Sequence, residues 1–267
     1  MGLPSGVARP LRFLAARFHS LAMYAENPVL LQVRRKGVTA NHYMSLKKQW
    51  IKNLGFRTVL DVGANTGQFA VAVRAYLPEA QIYSFEPLPD CFQKLQSRFA
   101  GDRKFTAFNM GLGAESGIVA FERQDFTPAS SFLKLTARYK DALPATQSSH
   151  ASAVQVRVQS LDEIAKELDI SGPLLVKIDV QGFEDKVVAG ATETLRHASV
   201  VIIELSFVEM YHGQPLFRQV YEQMVQLGFD YHGNLEQMEQ PNDERALQAD
   251  CIFLRRGEET PASSVAN

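Results

Sequence analysis

The sequence predicts an α/β fold, a doubly wound, mostly parallel sheet with helices on both faces, and three observations carry that prediction. Short runs rich in β-branched and aromatic residues alternate with helix-period segments along most of the chain. Two of those runs, LLVKIDV and SVVIIEL, are apolar almost throughout, as strands covered on both faces must be. A third run, TVLDV, ends on an acid and passes at once into a glycine turn and a helix, which opens a crevice at the carboxyl edge of such a sheet. With 267 residues, 46% of them hydrophobic, the chain can bury the core of one large domain.

Taken in order, the elements begin with an unusual first segment. No acid precedes Glu26, while Arg9, Arg12 and Arg17 alternate with Leu11, Leu14, Phe18 and Leu21 at the spacing of one helical face. The arginines interrupt the apolar run too often for a secretory signal or a membrane span. Two readings stay open: a helix docked on the domain, or a weak membrane-surface anchor through residues 9–21. MGLPSG has the start of a myristoylation signal but places Gly6 where Ser or Thr is required. Residues 1–40 are thus expected to form a basic amphipathic extension and residues 41–256 the main domain. Residues 257–267, within RRGEETPASSVAN, have the composition of a disordered tail.

Within the main domain the expected strands are TVLDV, QIYSF, KFTAFNM, GIVAFE, VQVRV, LLVKIDV, SVVIIEL, FDYHG and DCIFLRR. Helices are expected over 68–76, 90–99, 161–168, 183–195 and 216–227. Ser160 and Glu163 form an S-x-x-E capping box, which makes Asp162 and Glu163 capping residues before they are catalysts. Residues 123–153, between GIVAFE and VQVRV, exceed a plain connection and read as a β-hairpin or lid insertion. Its Phe126, Phe132 and Tyr139 can cover an acceptor, and its Ser130, Ser131, Lys134 and Arg138 can bind hydroxyls or an anionic group; a surface excursion with a short helix is the alternative.

The stretch TVLDVGANTGQFA holds the first chemistry. Gly63 and Gly67 allow a tight strand-to-helix turn, and Asn65 tolerates a left-handed backbone. Glu86 ends the next strand, 19 positions after Gly67, where a carboxylate can accept both ribose hydroxyls of a nucleoside. A dinucleotide loop would be G-x-G-x-x-G, with amides against a pyrophosphate. Here the middle glycine is absent, and Asp61 at the mouth of the turn repels phosphate and attracts an ammonium. S-adenosylmethionine, with an adenosine, a sulfonium and an amino-acid ammonium but no phosphate, fits that set. The bland alternative is a structural turn, with Asp61 as a helix cap and Glu86 as an exposed strand-end acid.

VLDVGANTGQF, SFEPLPDCFQKL, VQSLDEI, LLVKIDVQGFEDKVVAGA and VVIIELSF, in that order, resemble the FkbM family of S-adenosylmethionine-dependent methyltransferases over roughly residues 56–255. The resemblance implies a class I methyltransferase-type, Rossmann-like sheet and methyl transfer to a hydroxyl oxygen of a sugar, glycolipid or polyketide-like metabolite. Gln181 stands where many members carry glutamate, and no role is carried over to it. Alcohol methylation needs a proton acceptor, worth about 10²–10⁴-fold when positioned. Asp179, ending LLVKIDV, is the first candidate, with capping the next helix or holding the methionine moiety as its alternatives. Glu204, ending the neighbouring apolar run, is the second, and His212 the third. Lys177, two residues before Asp179, faces the same side of the strand and can pair with an acid. Asn109, closing KFTAFN, is placed to contact adenine or to form a strand-end turn. The cofactor set is therefore Asp61, Gly63, Asn65, Gly67, Glu86, Asn109 and Asp179, and no metal is assigned because Asp179 and Glu204 lack further ligands at clear spacing.

Composition narrows the remaining classes. Twenty-eight Lys and Arg against 29 Asp and Glu leave no positive field for a polyanion, and DVQGFE replaces the D/N-P-P-Y-like segment of DNA N-methylating enzymes, so nucleic acid is not the expected acceptor. Cys91 and Cys251 lack metal or CxxC spacing, which suits buried thiols in a cytoplasmic protein. The expected partner is a small-molecule or glycan acceptor. The competing class is an NAD-binding oxidoreductase or a non-catalytic nucleotide-binding module, which the incomplete dinucleotide motif disfavours.

Overall fold

The structure is a computed structural model that describes residues 22–257. Its strands are β1 (Thr58–Val62), β2 (Gln81–Phe85), β3 (Phe105–Phe108), β4 (Gly111–Leu112), β5 (Gly117–Gln124), β6 (Ala151–Gln159), β7 (Leu174–Ile178), β8 (Ala198–Ser206), β9 (Phe229–Glu239) and β10 (Ala246–Arg255). Seven of them form the main sheet in the order β3-β2-β1-β7-β8-β10-β9. The pairs from β3 to β8 are parallel, and β10 runs antiparallel to both β8 and β9. This is the doubly wound sheet expected from the alternation of strands and helices.

Why the central strands are apolar at most positions is visible in their packing. Along β8, Val201, Ile203 and Leu205 belong to one core, while Val200 and Ile202 belong to the other. Successive side chains of a strand point to opposite faces, so a sheet covered on both sides needs apolar residues at each position. The first core packs beneath helices such as Glu184–Ala189 and Phe217–Gln226. The second packs beneath Gln68–Tyr76 and the helices of the N-terminal segment, Val29–Arg35, Ala40–Leu46 and Gln49–Asn53.

The winding direction reverses between β1 and β7, since the chain leaves β1 toward β2 and β3 and returns to β7 on the other side. Ligand crevices in open α/β sheets form at the carboxyl ends of such a strand pair. Asp61 and Gly63 stand at that end of β1, and Asp179 follows β7 directly.

A smaller sheet, ordered β4-β6-β5, sits beside the first. Its β5 and β6 pair antiparallel along their whole length and carry residues 125–150 between them. Hydrogen bonds tie that excursion down: the Thr136 amide donates to the Met210 carbonyl at 3.0 Å and the His212 amide to the Lys134 carbonyl at 2.8 Å.

Several elements differ from the sequence expectation. The helix expected over 183–195 is two helices, Glu184–Ala189 and Thr192–Arg196. Gly190 lies between them because a Cβ there would stand 2.0 Å from the Gly113 carbonyl oxygen, so the chain must pass close and turn. The Asp162 carboxylate caps the second of the pair, accepting from the Glu193 and Thr194 amides, which makes it structural. Of the capping box only one arm forms: Ser160 Oγ accepts from the Glu163 amide, while the Glu163 carboxylate accepts from Ser116 Oγ at 2.6 Å. The strand begun by FDYHG continues to Glu239 because β10 pairs with it through bulges. The boundary at residue 41 lies too late, since Leu30, Val33 and Val38 are already fully buried in the second core. The arginine-bearing segment of residues 9–21, expected as a helix, and all but Gly257 of the tail lie outside the described residues.

Candidate active site

A cavity of about 360 Å³ opens at the carboxyl ends of β1 and β7. Its floor at one end is the glycine turn. Gly63 has φ +83°, and a Cβ on it would stand 1.8 Å from the Asp179 carbonyl oxygen. Glycine is thus required there twice over, by the left-handed backbone and by the approach of the strand end carrying Asp179. Asn65, at φ +48°, takes the left-handed conformation that asparagine tolerates. Its Oδ1 accepts from the Thr66 amide at 2.7 Å.

The amides of this turn are spent inside the protein. Those of Gly63 and Ala64 donate to the Phe85 carbonyl, that of Asn65 to Glu86 Oε2, that of Thr66 to Asn65 Oδ1, and that of Gly67 to the Ala64 carbonyl. Glu86 receives a second amide, from Leu88, on its other oxygen at 2.8 Å. The carboxylate therefore ties the turn to the loop after β2 while facing the cavity. Burial outweighs these amides and pushes the Glu86 pKa up to about 7. Asp61, buried and accepting from Ser84 Oγ at 3.0 Å, is likewise pushed up to about 7, chiefly by burial.

The opposite end of the cavity is a network of acids and amides. Asp179, Glu204 and Asp250 each offer an oxygen within 4.8 Å of the others. Asp250 stands directly across from Glu204 on β10, a like-charge pairing that is unfavourable without compensation. Lys177 supplies it, with Nζ 2.6 Å from Asp250 and 3.4 Å from Asp179. Burial opposes the Lys177 charge, but Asp179, Asp250 and Glu204 prevail and raise its pKa. Gln181 Nε2 donates to Asp179 at 2.7 Å and to Glu204 at 2.6 Å, and Gln248 donates to the other Glu204 oxygen at 2.8 Å. Burial, with Asp179 and Asp250 nearby, raises the Glu204 pKa well above an ordinary carboxyl. Among the described residues these three acids alone are spaced to hold a cation, and the Lys177 ammonium already stands among them.

Gln181 is held at φ +57°, a conformation that costs a non-glycine residue roughly 1–2 kcal/mol. Its Oε1 accepts from the Tyr211 hydroxyl at 2.6 Å, and its backbone carbonyl from Ser131 Oγ at 2.6 Å. The excursion of residues 125–150, which roofs the cavity, is thereby linked through Ser131 to the acid network. Phe126, Ser130, Phe132 and Tyr139 of the roof line the cavity, whereas Lys134 and Arg138 are exposed and do not.

Of the sequence candidates, the cavity gathers Asp61, Gly63, Asn65, Glu86, Asp179 and Glu204. Three others do not line it. Gly67, at φ +91°, serves packing, since a Cβ there would meet Leu95 Cδ1 at 2.7 Å. The Asn109 side-chain amide donates to the Glu86 and Pro87 carbonyls and so ties the end of β3 to the loop after β2. His212 is exposed on the loop after β8, so its ring is not at the acid network. Sequence reasoning missed Gln248 and Asp250, whose only signal is a polar residue at alternate positions of an otherwise apolar strand.

Residues 61–231 match the methyltransferase FkbM domain family. The 2-O-methyltransferase NoeI of Sinorhizobium fredii is 25% identical over 171 residues, covering 61% of this chain and 68% of its own. The hexuronic acid methyltransferase AglP of Haloferax volcanii is 27% identical over 148 residues, 54% of each chain. The crystal structure of the methyltransferase FkbM from Methylobacillus flagellatus aligns over 75% of this chain and 44% of its own at 15% identity, with a TM-score of 0.46. The chain thus spans about half the length of AglP and less than half of the Methylobacillus chain.

Proposed function

The chain belongs to the FkbM methyltransferase family, and from that premise we propose that it is an S-adenosylmethionine-dependent O-methyltransferase acting on a hydroxyl of a sugar, glycolipid or polyketide-like metabolite. Oxygen as the accepting atom draws support from the 2-O-methyltransferase relative. The observation that carries the cofactor is the glycine turn. Its five amides from residue 63 to 67 are all used internally, so no amide cradle is left for a pyrophosphate. An NAD-dependent reading is not favoured.

The cavity's own residues suit the sulfonium cofactor. Each Glu86 oxygen retains a lone pair after accepting its amide, enough for two ribose hydroxyls. Asp61 offers negative charge for the ammonium and sulfonium. When bound, the cofactor supplies a methyl group on sulfur; the acceptor oxygen bonds that carbon and the C–S electron pair stays with sulfur. Asp179 takes the hydroxyl proton. Gln181 and Lys177 hold its carboxylate in place, and Glu204 behind it completes the network.

The acceptor is a small molecule or glycan, not nucleic acid, whose phosphates an acid-lined cavity repels. No helix among the described residues is long and apolar enough to cross a membrane. A membrane-surface contact would fall to residues 9–21. Calorimetry tests the cofactor: S-adenosylmethionine should bind and NAD should not, and the reverse result overturns the reading. Incubation with methyl-labelled cofactor and a glycoside panel should then put label on an ether oxygen.

A further inference from the structure

The acceptor's charge class can be read from the end of the cavity away from the glycine turn, on the premise that the protein methylates a hydroxyl. Four acids line that end: Asp179, Glu204, Glu236 and Asp250. Lys177 is the one cation among the described residues lining the cavity, and it is engaged with Asp179 and Asp250. The roof's lysines and arginine, Lys134, Arg138 and Lys140, are exposed outside it.

The side-chain donors that touch the acids are mostly committed as well. Gln181 Nε2 gives its two hydrogens to Asp179 and Glu204, Gln248 Nε2 gives one of its two to Glu204, and the Tyr211 hydroxyl donates to Gln181. What the acids themselves offer is acceptor capacity, since a carboxylate oxygen takes two hydrogen bonds. Hydroxyl groups donate to such oxygens, and carboxylate or phosphate groups cannot. Protonation of Glu204, which burial and its acidic neighbours favour, reduces the repulsion but adds no cation. Phe126 and Phe132 add aromatic surface that suits the apolar C–H face of a sugar ring.

We propose that the acceptor is an uncharged polyhydroxylated molecule, a neutral saccharide or its glycoside, and that carboxylated and phosphorylated sugars are rejected. The hexuronic acid in the name of the archaeal relative is of the opposite charge class.

The test uses the full chain, methyl-labelled S-adenosylmethionine and matched acceptors: methyl glucoside and methyl fucoside against methyl glucuronoside and glucose 6-phosphate. Binding of each is measured in parallel by saturation-transfer NMR on enzyme loaded with S-adenosylhomocysteine, which does not require turnover. The expected result is a preference for the neutral members on the order of tenfold to a hundredfold, the size of one like-charge pair roughly 6–12 Å apart at an effective dielectric near 20. Equal or better use of an anionic member overturns the proposal and leaves methyl transfer standing. Failure of both classes to bind, with cofactor binding intact by calorimetry, also overturns it. Failure of the cofactor itself to bind removes the underlying reading, and the proposal goes with it.

Discussion

The two ends of the cavity are built in different ways. The end proposed for the cofactor comes from one continuous stretch, the glycine turn, tied by the Glu86 carboxylate to the next strand end. The end proposed for the acceptor is assembled from β7, β8, β10 and the loop after β7, with Lys177, Glu204, Gln248, Asp250 and Gln181 brought together across strands that are remote in sequence. The first end satisfies its polar groups locally with backbone amides. The second satisfies them with side chains that exist as a set only when the strand register is correct. A local site is therefore open to single mutations of one loop, whereas the distributed one is sensitive to any change that disturbs charge balance in the network.

Substitutions can break that contrast, beginning with the largest effect. Gly63→Val should unfold or severely destabilise the protein, because its Cβ meets the Asp179 backbone and cannot be relieved by a rotamer. A thermal melt matching the wild type would show that the two ends are not locked together at this contact. Asp179→Asn should lower turnover by about 10²-fold or more with little change in cofactor affinity. Lost affinity with turnover restored at saturating cofactor would move Asp179 to the cofactor end and blur the division. Glu86→Ala should weaken S-adenosylmethionine by roughly 1.5–3 kcal/mol, the worth of hydrogen bonds to a charged group. It should also loosen the turn, since the Asn65 and Leu88 amides lose their acceptor. Unchanged affinity in calorimetry would remove Glu86 from the site.

The smallest effect is one of pH. Asp61 and Glu86 have ordinary pKa values of 3.8 and 4.5 that rise to about 7 in the fold. Protons held by the folded state favour it fully below about pH 4, and this contribution is lost as pH rises through 7, so the protein alone should melt higher at pH 6 than at pH 8. A cationic cofactor favours the ionised carboxylates, so its binding should strengthen from pH 6 to pH 8, by up to about tenfold, and release protons. Calorimetry in buffers of different ionisation enthalpy measures this, and binding that weakens over the range would place the charges elsewhere.

The chain order of strands and helices was open to reading because the central strands are mostly apolar runs and the turn after β1 carries two glycines. Gly63, Asn65 and Glu86 were legible for the same reason: a short motif states its backbone requirements locally. Asn109 and His212 show the limit. A strand end for Asn109 and a loop after a strand for His212 were readable, but direction was not: the Asn109 amide turns to two carbonyls and His212 stays exposed on its loop.

By itself, then, the sequence determined the sheet's type, the crevice at the ends of β1 and β7, and the acids at those ends, because alternation, glycine and strand length act over a few residues. Only the tertiary structure decided which partners those acids meet. Asp250 faces Glu204 because β10 runs antiparallel to β8 in one register, Lys177 sits between acids because β7 lies one strand away, and Gln181 bridges them at a left-handed backbone position. Those contacts depend on strand pairing, where a one-residue slip turns every side chain to the other face, and no local pattern encodes which register forms.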